Sequence, residues 1–225
     1  MSRASTTSDH EGVEPPADCS LCPRLVAFRA DNQSAQPEWY NGAVRSFGDD
    51  TKAELLIIGH APGLQGANRT GRPFTGDYAG DLLYATLLKF GFARGQYAAR
   101  ADDGLALQNT LITNAVRCVP PANKPTGKEI ATCRPFLSAR LASLPRLRVI
   151  IALGRIAHDS TLSALELRRA AFPFAHAACH AVGTNLTMID SYHCSRYNTN
   201  TGRLTPEMFE AVFAAARQRL DEAAG

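Results

Sequence analysis

The stretch from Ile58 to Asp77, IGHAPGLQGANRTGRPFTGD, constrains this chain more than any other. It follows Leu55-Leu56-Ile57-Ile58, a short apolar run of the kind expected of a strand covered on both faces. Five glycines (Gly59, Gly63, Gly66, Gly71, Gly76) and two prolines (Pro62, Pro73) then exclude a regular helix or strand. Such a backbone reaches positive φ and comes close to a ligand without steric cost. Long loops in compact folds are uncommon unless functional or disordered. Asn68, Arg69, Arg72, Phe74 and Asp77 bring hydrogen bonds, charge, a flat ring and a carboxylate to this one. The fold must therefore hold a long, chemically equipped loop at the end of a buried strand.

The rest of the chain alternates strands with helices. Leu111–Val116, Leu147–Leu153 (closed by Gly154) and Thr184–Asp190 read as three further strands. Gly80–Phe90 carries Leu82, Leu83, Leu87 and Phe90 at helical spacing. Thr126-x-x-Glu129 is a capping box opening a helix that Pro135 is expected to kink. Another helix is expected over Ile156–Arg168. The last one is capped by Thr205 with Pro206 at its first position and buries Met208, Phe209, Val212, Phe213, Ala216 and Leu220. This α/β alternation implies a parallel sheet covered on both faces. Ligands of such sheets gather beyond the C-terminal strand ends, so the loops beginning at His60, Asn114, Gly154 and Ser191 should converge.

With 225 residues, a tail over 1–17 and a single folded domain over 18–225 are expected. A net charge of +3 does not announce nucleic-acid binding, although all but four of the 24 basic residues are arginines, whose fork suits phosphate. No apolar run approaches the roughly 18 residues of a membrane span, and the N-terminus has no apolar core of a signal peptide. A reducing, cytoplasmic setting is therefore expected, where six cysteines are not a disulfide framework. Cys19-x2-Cys22 with Cys118 and Cys133 forms a candidate ligand set, and four thiolates suit zinc or a [4Fe–4S] cluster. Its expected role is to staple the N-terminal segment to the core.

Three patterns together resemble the family-five (type B) uracil-DNA glycosylases. Gly59–Gly63 continuing through Gly66–Asp77 is similar to their first motif. Thr113-Asn114-Ala115-Val116-Arg117-Cys118 is similar to the central one, and His193-Cys194-Ser195 with Asn198–Gly202 to the H-P-S-x-x-N-x-x-T-G motif. The chain departs at His60, where the family usually has an apolar residue, and at Cys194, where it usually has proline. The resemblance implies a three-layer αβα sandwich around a four-stranded parallel sheet. It also implies a [4Fe–4S] cluster on Cys19, Cys22, Cys118 and Cys133, and hydrolytic removal of uracil and other deaminated bases from DNA.

Excision from a duplex requires the nucleotide to be flipped into a pocket. Phe74 is the candidate for stacking on the base and Asn114 for reading its edge. Asp77 is the candidate for stabilising the cationic sugar or positioning water, and His193 for donating to the base carbonyl as charge builds there. Backbone N–H groups near Ala61 and Gly63 add donors. Ser195 is expected to hold phosphate, and Arg196 and Tyr197 to insert into the groove or the gap. Arg69, Arg72, Arg117 and Lys124 are further phosphate candidates. None of the four lysines falls in a motif, so a monofunctional enzyme acting as a monomer is expected. The rival reading is a non-catalytic four-cysteine metal module that binds damaged or single-stranded DNA. A phosphate-loop reading lacks G-x4-G-K-[ST].

Overall fold

The computed structural model describes residues 12–222. In chain order its main elements are α1 (Pro23–Ala35), β1 (Phe47–Gly48), β2 (Leu55–Gly59), α2 (Tyr78–Lys89), β3 (Thr110–Asn114) and α3 (Gly127–Ala142). They continue with β4 (Val149–Leu153), α4 (Arg155–Ala164), β5 (Cys179–Gly183), β6 (Leu186–Ser191) and α5 (Pro206–Glu222). One-turn helices at Ala67–Thr70 and Arg196–Asn200, and a small ribbon of Ala93–Arg94 with Ala106–Leu107, lie in the connections.

The strands form one sheet in the order β1-β3-β2-β4-β6-β5. The inner four are parallel, with Gly59 opposite Asn114 and Ile57 opposite Ile151. The apolar run at β2 is continuous because both of its faces are covered. Leu55 and Ile57 pack with Leu83 and Leu87 of α2 and Phe209 and Phe213 of α5. Leu56 and Ile58 pack with Leu137 of α3 and Ala157 and Leu162 of α4. A three-layer αβα sandwich results. The winding runs from β2 to β3 on one side and then crosses to β4 on the other. The reversal leaves a crevice at the C-terminal ends of these strands.

The expected four-stranded parallel sheet is therefore the core of a six-stranded one. The two antiparallel edges escape a reading by apolar runs: β1 is two residues long, and in β5 only Val182 is buried. The helix α3 opens on the expected capping box, Thr126 with Glu129, and runs through Pro135 to Ala142. The next helix, α4, ends at Ala164, short of Arg168. Part of the expected tail also belongs to the fold. Glu14 is buried and pairs with Arg117 and Arg140, each at 2.7 Å. Partners a hundred residues apart leave no local signal in sequence. The remainder of that tail, residues 1–11, lies outside the described residues.

Candidate active site

A cavity of about 310 Å3 opens at the reversal point, and Phe74, Asp77, Asn114 and His193 all line it. Ala61 and Gly63 form part of the same wall, and Ser195 and Arg196 stand at its edge.

Each of the four has a local reason for its position. Asn114 ends β3, beside Gly59. A Cβ at position 59 would collide with the Asn114 side-chain oxygen and the Phe74 ring, so only glycine lets the three meet. The Asn114 Oδ1 is buried and has no partner in the protein, a costly condition in a finished core and a useful one in a site awaiting a ligand. Phe74 is buried with φ of +53°, a left-handed conformation that a large side chain adopts only under constraint.

Asp77 caps α2: its Oδ1 accepts from the Gly80 N–H at 3.2 Å. Its other oxygen faces Gly63 and Gly66, and a Cβ at position 66 would overlap it. The glycine loop thus closes directly over the carboxylate. Burial raises the Asp77 pKa above the usual carboxylate value, opposed by the Gly80 and Ala79 N–H groups.

His193 sits in the loop after β6. Its ring lies against that of Phe74, with centroids 6.0 Å apart and planes inclined by 29°. Gly154, at φ of +92°, makes room for the His193 Cβ at the end of β4. The backbone oxygen of His193 accepts from Asn198 Nδ2 at 2.8 Å. This bond supplies the restraint that a following proline would give; Cys194 instead fills the core beneath. Burial pushes the His193 pKa down to about 3, with His60 adding to the shift, so the ring is neutral at physiological pH. Its Nδ1 is buried and unpartnered.

The basic residues divide sharply. Arg196 lines the cavity and lies over the Tyr78 ring, 5.4 Å from its centroid, and the next residue, Tyr197, is 73% exposed. Lys124 is exposed as well. Arg69 is turned inward to the Gln65 and Gly76 carbonyls. Arg117 is buried on Glu14 and unavailable to phosphate. Arg72 is likewise not a phosphate ligand. It is buried, bonded to both oxygens of Asp103 at 2.8 and 2.7 Å and to Thr75 at 2.7 Å, and surrounded by the rings of Phe47, Tyr84 and Tyr97. Removing one partner of a buried pair strands the other. Arg72→Met is therefore expected to cost about 3–5 kcal/mol in denaturant unfolding while leaving the salt dependence of DNA binding unchanged. A stable variant with a reduced salt slope would restore Arg72 to the DNA surface.

Cys19, Cys22, Cys118 and Cys133 line one small apolar hollow with Leu25, Val116 and Phe136. Arg29 donates to the Cys118 sulfur at 3.3 Å. Among the described residues, the group of His, Cys, Asp or Glu whose ligand atoms all lie within 4.8 Å of one another is His158, His180 and Asp190, not these thiols. Four sulfurs around one zinc would stand roughly 3.8 Å apart, given Zn–S bonds of about 2.3 Å. The thiols are not gathered that tightly, and a set of four suits a metal ion or an iron–sulfur cluster. Burial raises the Cys118 thiol to about 12 and the Cys22 and Cys133 thiols as well, so a bound cation is needed to hold them as thiolates. Cys179 is exposed and Cys194 lies elsewhere in the core.

His158, His180 and Asp190 make a closed structural network instead. Asp190 meets His158 Nδ1 at 2.7 Å and His180 Nε2 at 3.0 Å, and the Phe172 carbonyl takes the other nitrogen of His158 at 2.9 Å. These are hydrogen-bond lengths. His180 lies on β5.

Sequence reasoning left His60, Tyr78 and Asn123 without roles, yet all three line the cavity. For Tyr78 a cue existed in its place directly after Asp77. Asn123 is brought in only by the folding of the proline-rich loop.

The sequence profile of the uracil DNA glycosylase superfamily matches residues 45–217. The chain is 44% identical over 206 residues to a type-5 uracil-DNA glycosylase of Thermus thermophilus, covering 89% of this chain and 93% of that protein. It is 40% identical over 210 residues to a type-5 uracil-DNA glycosylase of Mycobacterium tuberculosis, covering 89% of this chain and 77% of the other. A third, from Pyrobaculum aerophilum, is 36% identical over 203 residues, with 88% of each chain covered.

Proposed function

This chain belongs to the uracil DNA glycosylase superfamily, and from that premise we propose that it hydrolyses the N-glycosidic bond of uracil in DNA for base excision repair. We extend the reading to other deaminated bases such as hypoxanthine and xanthine. The observation that carries it is the meeting of Phe74, Asn114, Asp77 and His193 around one cavity at the sheet's reversal point.

The scheme follows from what each group can do there. A base flipped out of the stack enters the cavity and lies against Phe74. The unpartnered Asn114 Oδ1 accepts from an N–H on the base edge, while the amide NH2 faces a carbonyl. As the glycosidic bond lengthens, negative charge moves onto the base and positive charge onto the sugar. His193, neutral, donates an N–H to the base oxygen as charge builds there. Backbone N–H groups around Ala61 and Gly63 act in the same sense. Asp77 stabilises the cationic sugar and orients the water that attacks it. No lysine lines the cavity, which supports simple hydrolysis over a Schiff-base lyase step.

Cys19, Cys22, Cys118 and Cys133 would hold a [4Fe–4S] cluster whose role is structural, fixing the N-terminal segment against the core. When bound, the cluster supplies cross-linking and no step of the reaction. On the DNA side, Ser195 binds phosphate and Arg196 and Tyr197 occupy the space beside the flipped nucleotide. The protein acts as a monomer on chromosomal DNA in the cytoplasm. Among the described residues no helix is long and apolar enough to cross a membrane.

The test is base release from oligonucleotides carrying uracil, hypoxanthine or xanthine, followed by alkali-dependent strand scission. Tight binding with no release from any of them would favour the non-catalytic module instead. Replacing Arg196 and Tyr197 together by alanine is expected to weaken binding to an abasic product, since both occupy the space that the flipped nucleotide leaves. Unchanged affinity and turnover would remove both residues from the interface.

A further inference from the structure

Among the cavity side chains that have no part in the scheme above, His60 makes the most direct contact with a residue that does. His60 is the first residue past β2, and its main chain is fixed by the Val116 N–H, which donates to the His60 carbonyl at 2.9 Å. Its ring meets the His193 ring edge-on, with centroids 4.7 Å apart and planes at 69°. Asn123 lines the same cavity wall. His193, in contrast, has little of its own to hold it. Its Nδ1 finds no partner, Gly154 offers no side chain beside it, and the bond from Asn198 restrains its backbone only. The rings of Phe74 and His60 flank the imidazole.

We propose that His60 is a positioning residue for His193: held at the end of β2 through its main chain, it presses edge-on against the imidazole and fixes the direction in which His193 donates into the cavity. Its role rests on the assignment of His193 as the donor. Chemistry favours an indirect action over direct contact with the base. The His60 ring packs on that of His193, while Phe74, on which the base lies, is the neighbour of His193. Two imidazoles in edge contact cannot both carry charge. Burial lowers the pKa of both. Asp77 and Arg196 are the charged groups that share the cavity, and neither is placed between the two rings.

A double-mutant cycle on the holoprotein separates the possibilities. Wild type, His60→Leu, His193→Ala and the double variant are compared in single-turnover release of uracil across pH. His60→Leu is expected to lower the maximal rate by about ten- to a hundredfold through misdirection of His193, with KM within about twofold of wild type. In the His193→Ala background the same change should cost nothing further, since the residue through which it acts is gone. His60→Phe, which keeps a ring edge at the same place, should recover most of the rate. The nitrogen resonances of His193 should shift and broaden in His60→Leu and return in His60→Phe. An equal loss from His60→Leu in both backgrounds would overturn the proposal, showing that His60 acts on the substrate itself. So would a wild-type rate for His60→Leu beside an impaired His193→Ala. A wild-type rate for His193→Ala would instead sink the catalytic reading of His193, and the role of His60 with it.

Discussion

Asp77→Asn is expected to lower the rate of uracil release by about 10^2–10^4-fold without loss of thermal stability. The two effects separate because asparagine caps a helix as well as aspartate does. The bond from the Gly80 N–H to the side-chain oxygen therefore survives, and α2 keeps its start. What disappears is the charge, which alone can stabilise a cationic sugar or orient and deprotonate water. Stability should even rise slightly above pH 4. A carboxyl whose folded pKa is raised favours the native state only while protonated. That contribution is complete below the unfolded value and lost as pH rises through the folded one. Removing the charge removes the loss. Single-turnover rates and melting curves on the same preparations decide the matter. A variant within about threefold of the wild-type rate, against the 10^2 or more expected of an acid–base group, would reduce Asp77 to a helix cap.

Cys118→Ser is expected to abolish the broad visible absorption of an iron–sulfur protein and to destabilise the fold by on the order of 3 kcal/mol or more, a fall in Tm of roughly 6–12 °C for a chain of this size. Cys118 is buried at the centre of the satellite cluster that joins Leu25 of α1, Ala43, Val116 and Ala61. Ala61 belongs at the same time to the wall of the base cavity. Loss of the cluster should therefore reach the active site through that shared residue, and excision should fall along with stability. Cys179→Ser, at an exposed position on β5, is the matched control and should change neither. A Cys118→Ser protein with unaltered colour and melting temperature would show that Cys118 is not a ligand.

The two assignments were legible in sequence to different degrees. The loop from Gly59 to Asp77 stood out because glycine and proline act on the backbone locally, wherever the rest of the chain lies. The parallel strands stood out because burial on both faces demands an unbroken apolar run, as at Leu55–Ile58 and Val149–Leu153. Thr126 with Glu129, and Thr205 with Pro206, marked helix starts by contacts that span three residues at most. The edge strands gave no such mark: β5 shows water most of its residues and needs no apolar run. Arg72 was misread for a related reason. An arginine in a loop is usually a surface charge, and only tertiary packing put Phe47, Tyr84, Tyr97 and Asp103 around this one. Glu14 followed the same course at the N-terminus.

By itself the sequence determined the chemical parts: a glycine loop closing on a carboxylate, an amide at a strand end, a histidine beyond the last parallel strand, and four thiols. The tertiary structure decided which of them face one another. It did so because the sheet reverses its winding between β2 and β4, opening one crevice where chain segments remote in sequence come together. There His60 gained a partner in His193 that no spacing in the sequence could have announced, since a ring-to-ring contact depends on the relative placement of two strand ends and carries no local pattern.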